Sequence, residues 1–364
     1  MRDPGLMRTR LLDELDSAIE RNMSFPGTWY ADPDIARFEA EQIIRRSWQP
    51  IGAVDGLRKP GDYLTTVFMN VPLLVVRGAE GIRAFVNICR HRGHPVASGC
   101  GTKKLFTCVY HAWTYGTDGA LVRAPRAELE PWFDPSRYGL LPVRLATWGP
   151  MAFVNFDADA PAFEDEYSEL MAVTEANGFG LSSMTFRKRV SWEQSCNWKT
   201  FMDNTADCYH CRTVHPGMGE THKTDPDQYV TRSYGNFAFH LSDARDDRPN
   251  VLPWMSCAVF PNWTITAAGG QIARVRVVEP VTASQIRVTT DFCAYPEVPE
   301  EDLEEDARWY HDLVYGEDRP VCESVAIGIA SGLFAEGPIF LRSEEIMQDF
   351  QKKYRDRLSR LSVA

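Results

Sequence analysis

The chain has 364 residues, with 50 acidic against 39 basic side chains and a formal charge of −11. That length suits two domains or one elaborated one, with a large core. The acidity argues against nucleic acid, whose phosphates call for basic patches. No apolar run approaches the roughly 20 residues that span a bilayer, since "VAIGIASGLF", residues 325–334, stops well short.

In chain order, helices are expected at 8–21 and 33–47, parted by Pro26 and Gly27. The charged N-terminus reads as an amphipathic helix, not a secretory signal. Nine cysteines in such a chain are expected as ligands and reduced thiols, in a cytoplasmic protein. From Tyr63 onward "YLTTVFM", "VPLLVV" and "RAFVNI" read as short strands, with a turn at Asn70-Val71-Pro72. A hairpin turn is expected at Asp118-Gly119 and a strand within 149–161, so residues 45–160 form a β-rich domain. Beyond it come a helix at 163–177, a strand at "TFRKRVSWEQ", and a helix over 197–215 that loosens at its end. Two strands joined at Gly269-Gly270, another at "QIRVTTDFCAY", an acidic helix, and helices near 319–332 and 342–360 complete the chain.

Two stretches of the β-rich region carry chemistry. "NICRHRGHP" holds Cys89 and His91; "FTCVYHAWTYGTDG" holds Cys108 and His111. Two thiolates and two imidazoles would suit zinc, but structural zinc sites usually pair like with like. Mixed loops, Cys-x-His and then Cys-x-x-His, are what a Rieske 2Fe-2S cluster needs, with two Cys on one iron and two His on the other. Such a cluster moves one electron and needs a destination. "DNTADCYHCRTVH" supplies His210 and His215, with Asp207 three residues before His210. Two imidazoles and a carboxylate with open positions make the facial triad of non-haem Fe(II) oxygenases. On an ideal helix, positions five apart diverge by about 140°, so the helix must loosen or end between the two His; Thr213, Val214 and Pro216 suit an ending there. Cys208 and Cys211 with His215 form a rival zinc set.

With these motifs, "NWK" at 197–199 and "FPNW" at 260–263, the chain resembles the catalytic α subunit of Rieske non-haem iron oxygenases over nearly its whole length. Within that superfamily it looks most like the choline, glycine betaine and carnitine oxygenase branch. The resemblance implies an α+β fold: a Rieske domain at 45–160, a helix-grip catalytic domain at 161–364, an antiparallel sheet with helices, and N-terminal helices at 1–44 packed on it. It implies a third iron ligand among the acids of "GEDRPVCES", with Asp318 at the matching position and Glu317 and Glu323 as rivals. Asp207 then becomes a bridge from His210 to His111 of the next subunit in a homotrimer. Asn204 is implied near the iron, where it would orient water or substrate; a place on the helix surface competes with that.

The implied activity is the oxygenase component of a multicomponent system. It would use O2 and electrons from NAD(P)H, delivered by a ferredoxin-type or flavin/2Fe-2S reductase, because no Rossmann-type glycine-rich loop is present. The substrate would be a small molecule, hydroxylated or oxidatively dealkylated, with an alkylated or quaternary amine as one candidate. Ring dihydroxylation of an aromatic is the alternative, and an electron-transfer or zinc protein the remote ones. His94 is read as a loop residue and Cys100 as a free thiol. Trp113 and Tyr115 are expected over the cluster, and Cys196, Cys257, Cys293 and Cys322 in the core. Trp254, Phe260, Trp263 and Phe201 are candidate pocket aromatics, against which a quaternary ammonium could rest.

Overall fold

The structure is a computed structural model describing residues 4–361. The chain forms two compact units: Trp48–Ala160, and the described residues of Met1–Ser47 with Pro161–Ala364.

The Trp48–Ala160 unit is built from two antiparallel sheets. In the larger, the strands run in the order Gln49–Ala53, Met151–Asn155, Pro142–Trp148, Ile82–Val86, Val71–Arg77, Asp62–Phe68 and Cys100–Thr102. In the smaller, Thr114–Gly116 lies between Leu105–Thr107 and Leu121–Arg123. The first hairpin turns at Met69-Asn70, one residue earlier than expected. Both residues have positive φ (47° and 62°), the requirement of a two-residue turn between twisted strands, while Val71 already pairs with Phe68. Gly119 takes φ +82°, and a Cβ there would stand 2.4 Å from Phe85 Cε1, so both conformation and space demand glycine. Cys89 and Cys108 belong to the buried cluster formed with Phe85, Phe106, Trp113 and Tyr115.

The other unit is organised on a seven-stranded antiparallel sheet. Its order is Thr185–Gln194, Gln285–Ala294, Ile272–Thr282, Trp263–Ala268, Trp254–Val259, Phe237–Ser242 and Val230–Ser233. Helix Pro4–Glu20 corresponds to the expected amphipathic N-terminus, whose first three residues lie outside the described ones. Helix Trp198–Ala206 begins at Asn197, whose side chain accepts the Lys199 amide at 2.9 Å. It stops at Ala206, well before the ending expected between His210 and His215, because Asp207 is extended (ψ 133°). Only the short turn Cys211–Val214 separates the two histidines.

That helix is tied down by a buried ion pair. Lys199 Nζ lies 2.8 and 2.7 Å from the two carboxylate oxygens of Glu39 on helix Pro33–Glu39. Trp198 Nε1 and Tyr354 OH, the latter from helix Glu345–Arg360, donate to the same oxygens at 2.8 and 2.7 Å. Four hydrogen bonds thus satisfy a carboxylate that burial would otherwise penalise heavily.

The two helices expected around residue 318 are one continuous helical run. Glu300–His311 and Arg319–Ala330 are joined by a π-helical segment, Asp312–Asp318. Pro320 has no N–H to offer the carbonyl four residues back, so the regular ladder is interrupted there in any case. π-Segments often mark functional sites, and this one ends on Asp318.

Candidate metal centres and pocket

The two loops of the Trp48–Ala160 unit are built alike. In each, the Cys amide bonds to the carbonyl five residues on (His94, Trp113) and the Cys carbonyl accepts the amide four residues on (Gly93, Ala112), all at 2.8–2.9 Å. Gly93 and Ala112 both take positive φ, 75° and 56°. Cys89 and Cys108 are buried, whereas His91 and His111 are exposed, with ring centroids 4.6 Å apart. Burial raises the Cys108 thiol, opposed by the backbone amides of Tyr110 and His111. Burial, with the charges of His111 and Arg92, lowers His91, which favours the neutral imidazole a metal requires. Trp113 stacks on His91 at 5.0 Å, and Tyr115 OH stands 3.3 Å from Cys89 Sγ. Paired buried sulfurs beside paired surface imidazoles are a donor set suited to a mixed-ligand cluster. His94 is exposed with Nδ1 2.7 Å from the Pro95 carbonyl, and Cys100 is an exposed free thiol.

In the other unit the break at Asp207 lets His210 and His215 approach, ring centroids 5.2 Å apart. Asp318 Oδ1 stands 3.0 Å from His215 Nε2 and 3.5 Å from His210 Nε2. Two donors each about 2.1 Å from one ion can be at most about 4.2 Å apart, and both pairs fall inside that span. Asp318 Oδ1 is buried without an aligned hydrogen bond, so it is an orphaned oxygen facing two nitrogens. Burial alone would raise the Asp318 carboxyl, but the two imidazoles outweigh it and hold its pKa down to about 2. Burial likewise works against charging His210, yet Asp207 and Asp318 raise its pKa to about 10. Two nitrogens and one carboxylate oxygen fit a non-haem Fe(II) ion with open positions.

The outward ring nitrogens are held as well. Asp207 Oδ2 is 3.2 Å from His210 Nδ1, while its Oδ1 accepts the Tyr209 amide. Glu317, expected only as a rival ligand, instead puts Oε2 2.7 Å from His215 Nδ1. Carboxylates at these positions fix tautomer and ring orientation. Asn204 Nδ2 lies 3.4 Å from His210 Nε2. Glu323 is turned away, accepting from Arg319 at 2.9 Å. Cys208 and Cys211 are both buried; His215, which the rival zinc set needs, faces Asp318 and Glu317 instead.

Residues 47–133 match the family described as Rieske [2Fe-2S] domain, and residues 181–360 match the ring hydroxylating alpha subunit (catalytic domain). The chain is 31% identical over 353 residues to chloroplastic choline monooxygenase of Arabidopsis thaliana, covering 90% of this chain and 82% of that protein. The chain belongs to the Rieske ring-hydroxylating oxygenase family. To the carnitine monooxygenase oxygenase subunit of Escherichia coli (strain K12) this oxygenase is 28% identical over 332 residues, 88% of each chain. It also resembles the crystal structure of the quaternary ammonium Rieske monooxygenase CntA in complex with inhibitor MMV12. The TM-score is 0.84 at 26% identity, over 95% of this chain and 98% of that one. The oxygenase is an oxidoreductase that uses a Rieske cluster and mononuclear iron, and its two-part α+β fold is that of the family.

A pocket opens onto His210, His215 and Asp318. Of the four candidate aromatics only Trp254 lines it, joined by Tyr310. Phe260 packs on Phe350 and Tyr354, and Trp263 packs on Tyr167. Phe201 lies under the guanidinium of Arg276, 4.8 Å away. Arg276 also lines the pocket, and the sequence did not single it out. In "IARVRVV" it reads as the polar half of an alternating strand, yet both faces of that strand are buried.

Proposed function

We propose that this oxygenase is the terminal component of a multicomponent system that hydroxylates or oxidatively dealkylates a small alkylated amine. Electrons would come from NAD(P)H through a separate reductase. When bound, the cluster supplies single electrons and the mononuclear iron supplies O2 activation. His210, His215 and Asp318 would hold the iron, and Cys89, Cys108, His91 and His111 the cluster. The observation that carries the reading is the convergence of two Nε2 atoms and an orphaned, ionised Asp318 oxygen at the wall of a pocket. The amine is supported by the choline and carnitine monooxygenases among the relatives.

In this reading each residue has a physical task. Glu317 and Asp207 hold the His215 and His210 rings with Nε2 toward Asp318. Asn204 orients the water or substrate beside His210. A hydroxyl placed on a carbon that bears nitrogen lets the C–N bond break and release the alkyl group as an aldehyde. Asp207 would also bridge to His111 of a neighbouring subunit in a homotrimer; one related structure is described in terms of inter-subunit electron transfer. A cytoplasmic location is supported by nine free cysteines, which a reducing compartment preserves. No helix among the described residues is long and apolar enough to cross a membrane.

The test is metal analysis of the purified protein with reductase-coupled O2 uptake on choline, γ-butyrobetaine and carnitine. The double change His210→Ala, His215→Ala should remove about one iron per chain, leave the visible cluster spectrum and abolish uptake. Loss of the cluster with retention of mononuclear iron would reverse the assignment of the two centres.

A further inference from the structure

Two arginines, Arg274 and Arg276, lie two residues apart on the strand Ile272–Thr282 and therefore on one face of the sheet. Both are buried, at 0% and 4% exposure. Their surroundings differ in one respect. Arg274 is matched by Asp306, with Nε donating to Oδ2 at 2.8 Å and Nη2 to the other oxygen. Rings of Trp254, Trp309 and Tyr310 surround its guanidinium at 5.5, 5.7 and 4.8 Å. Arg276 has no such carboxylate among the described residues. Of its five N–H donors, one is used, from Nη2 to Thr205 Oγ1 at 3.1 Å, and Nε is buried without a partner.

A buried guanidinium lacking a counter-charge is costly, and such groups are normally paired. Arg276 lines the pocket that holds His210, His215 and Asp318. It lies over the rings of Phe201 and Tyr310, at 4.8 and 5.8 Å. Two more polar atoms of the same pocket, Thr266 Oγ1 and His240 Nε2, are also buried and unpartnered. The wall is thus equipped for hydrogen bonding and carries one unmatched positive charge. The pocket aromatics Trp254 and Tyr310, for their part, already face Arg274, so they do not form a vacant cage for a substrate cation.

We propose that Arg276 is the specificity residue of this oxygenase: it binds a carboxylate of the substrate, supplying from the ligand the counter-charge that Asp306 supplies to Arg274. A guanidinium grips a carboxylate through two parallel N–H···O bonds, so the acid end of the substrate fixes which carbon faces the metal-binding residues. The inference rests on the oxygenase reading for the chemistry, but not for the binding. It selects an N-alkylated amino acid or an aromatic acid over a neutral-tailed cation such as choline.

The experiment is anaerobic calorimetric titration of the iron-loaded protein with matched pairs: γ-butyrobetaine against its methyl ester, and benzoate against methyl benzoate. Wild type should bind at least one acid about tenfold to a hundredfold tighter than its ester, the value of a charge-assisted contact. Arg276→Gln should bring that pair to within about twofold, and Arg276→Lys should keep part of the preference. A preference in the first pair identifies an N-alkylated amino acid; one in the second identifies an aromatic acid. Equal affinities within both pairs, no binding of either acid, or a wild-type preference retained in Arg276→Gln overturns the proposal. The wild-type comparison does not depend on any variant folding. Iron content and O2 uptake are read separately: an acid preference without mononuclear iron would sink the oxygenase reading alone, and iron without the preference would sink this one alone.

Discussion

Glu39→Gln tests whether the buried ion pair positions the helix that leads to the metal-binding residues. The change keeps the shape of the side chain but leaves one acceptor oxygen where Trp198 and Tyr354 each use a different one, and it removes the charge facing Lys199. Both side chains are fully buried, so the ammonium would lose its ion-pair partner and keep only the weaker influence of Asp203. Breaking one partner of such a pair costs about 3–5 kcal/mol. At about 2–4 °C per kcal/mol for a unit of this size, the melting temperature of the catalytic unit should fall by roughly 6–20 °C. Burial already lowers the Lys199 pKa, and Glu39 is the main group opposing that. In the variant Lys199 should shed its proton more readily, while the unfolded chain still binds it. The loss should therefore shrink as pH rises, because stability grows with pH wherever the unfolded state holds more protons. Adding Lys199→Met should restore most of the stability, since the charge itself is gone. The assay is thermal denaturation of single and double variants from pH 7 to 9.5, with iron content measured alongside. A Glu39→Gln cost below about 1 kcal/mol, or no recovery in the double variant, would refute the reasoning.

Three further outcomes are expected. Asp207→Ala should keep both metal centres and permit reduction of the cluster by the reductase, but should block reoxidation of the pre-reduced cluster by O2 and substrate in a single turnover; loss of mononuclear iron would instead make Asp207 a ligand. Tyr115→Phe removes the hydroxyl 3.3 Å from Cys89 Sγ; a hydrogen bond of about 1 kcal/mol to a cluster sulfur corresponds to a reduction potential lower by about 40 mV for one electron, measurable by redox titration. In chelator-treated protein, His210 is raised to about 10 by its carboxylate neighbours, against the opposing effect of burial. Its stabilisation is then complete below the unfolded pKa near 6.5 and is lost as pH rises through about 10. Melting temperature should fall across that window, and a flat profile would contradict the charge placement.

Short strands such as Cys100–Thr102 and Leu105–Thr107 are too brief to show a period, but about half of the strands and most helices are legible because their cues are local: alternating runs, Gly269-Gly270, Asp118-Gly119. The four residues of the cluster loops were legible for the same reason, as each loop carries its own Cys and His within four residues. His210 and His215 also stand close in sequence. Asp318 lies more than 100 residues beyond them, and only a resemblance to a known family pointed to it. Glu317 competes with Asp318 as a ligand on sequence alone, because composition cannot tell which of two adjacent acids faces inward. The structure separates them: Asp318 faces the two Nε2 atoms, while Glu317 stands behind His215 at Nδ1. Arg276 is hidden by tertiary packing. An arginine alternating with valines reads as solvent-facing until the helices that carry Phe201 and Tyr310 are placed against that face of the sheet.

The features that assemble the site are departures from regular helix, which is why periodicity could not find them. Had helix Trp198–Ala206 continued, His210 and His215 would diverge by about 140°; the extended residue at Asp207 removes both from that geometry. On the facing run, the π-segment Asp312–Asp318 changes the angular step of the chain. It thereby sets which of the acids at 317 and 318 points at the histidines. Each irregularity is held by side chains remote in sequence. Lys199 and Glu39 clamp the first helix, and the Glu317–His215 contact ties the second segment to the histidine turn. The donors can therefore be read from short motifs, whereas their convergence depends on contacts between segments more than 100 residues apart.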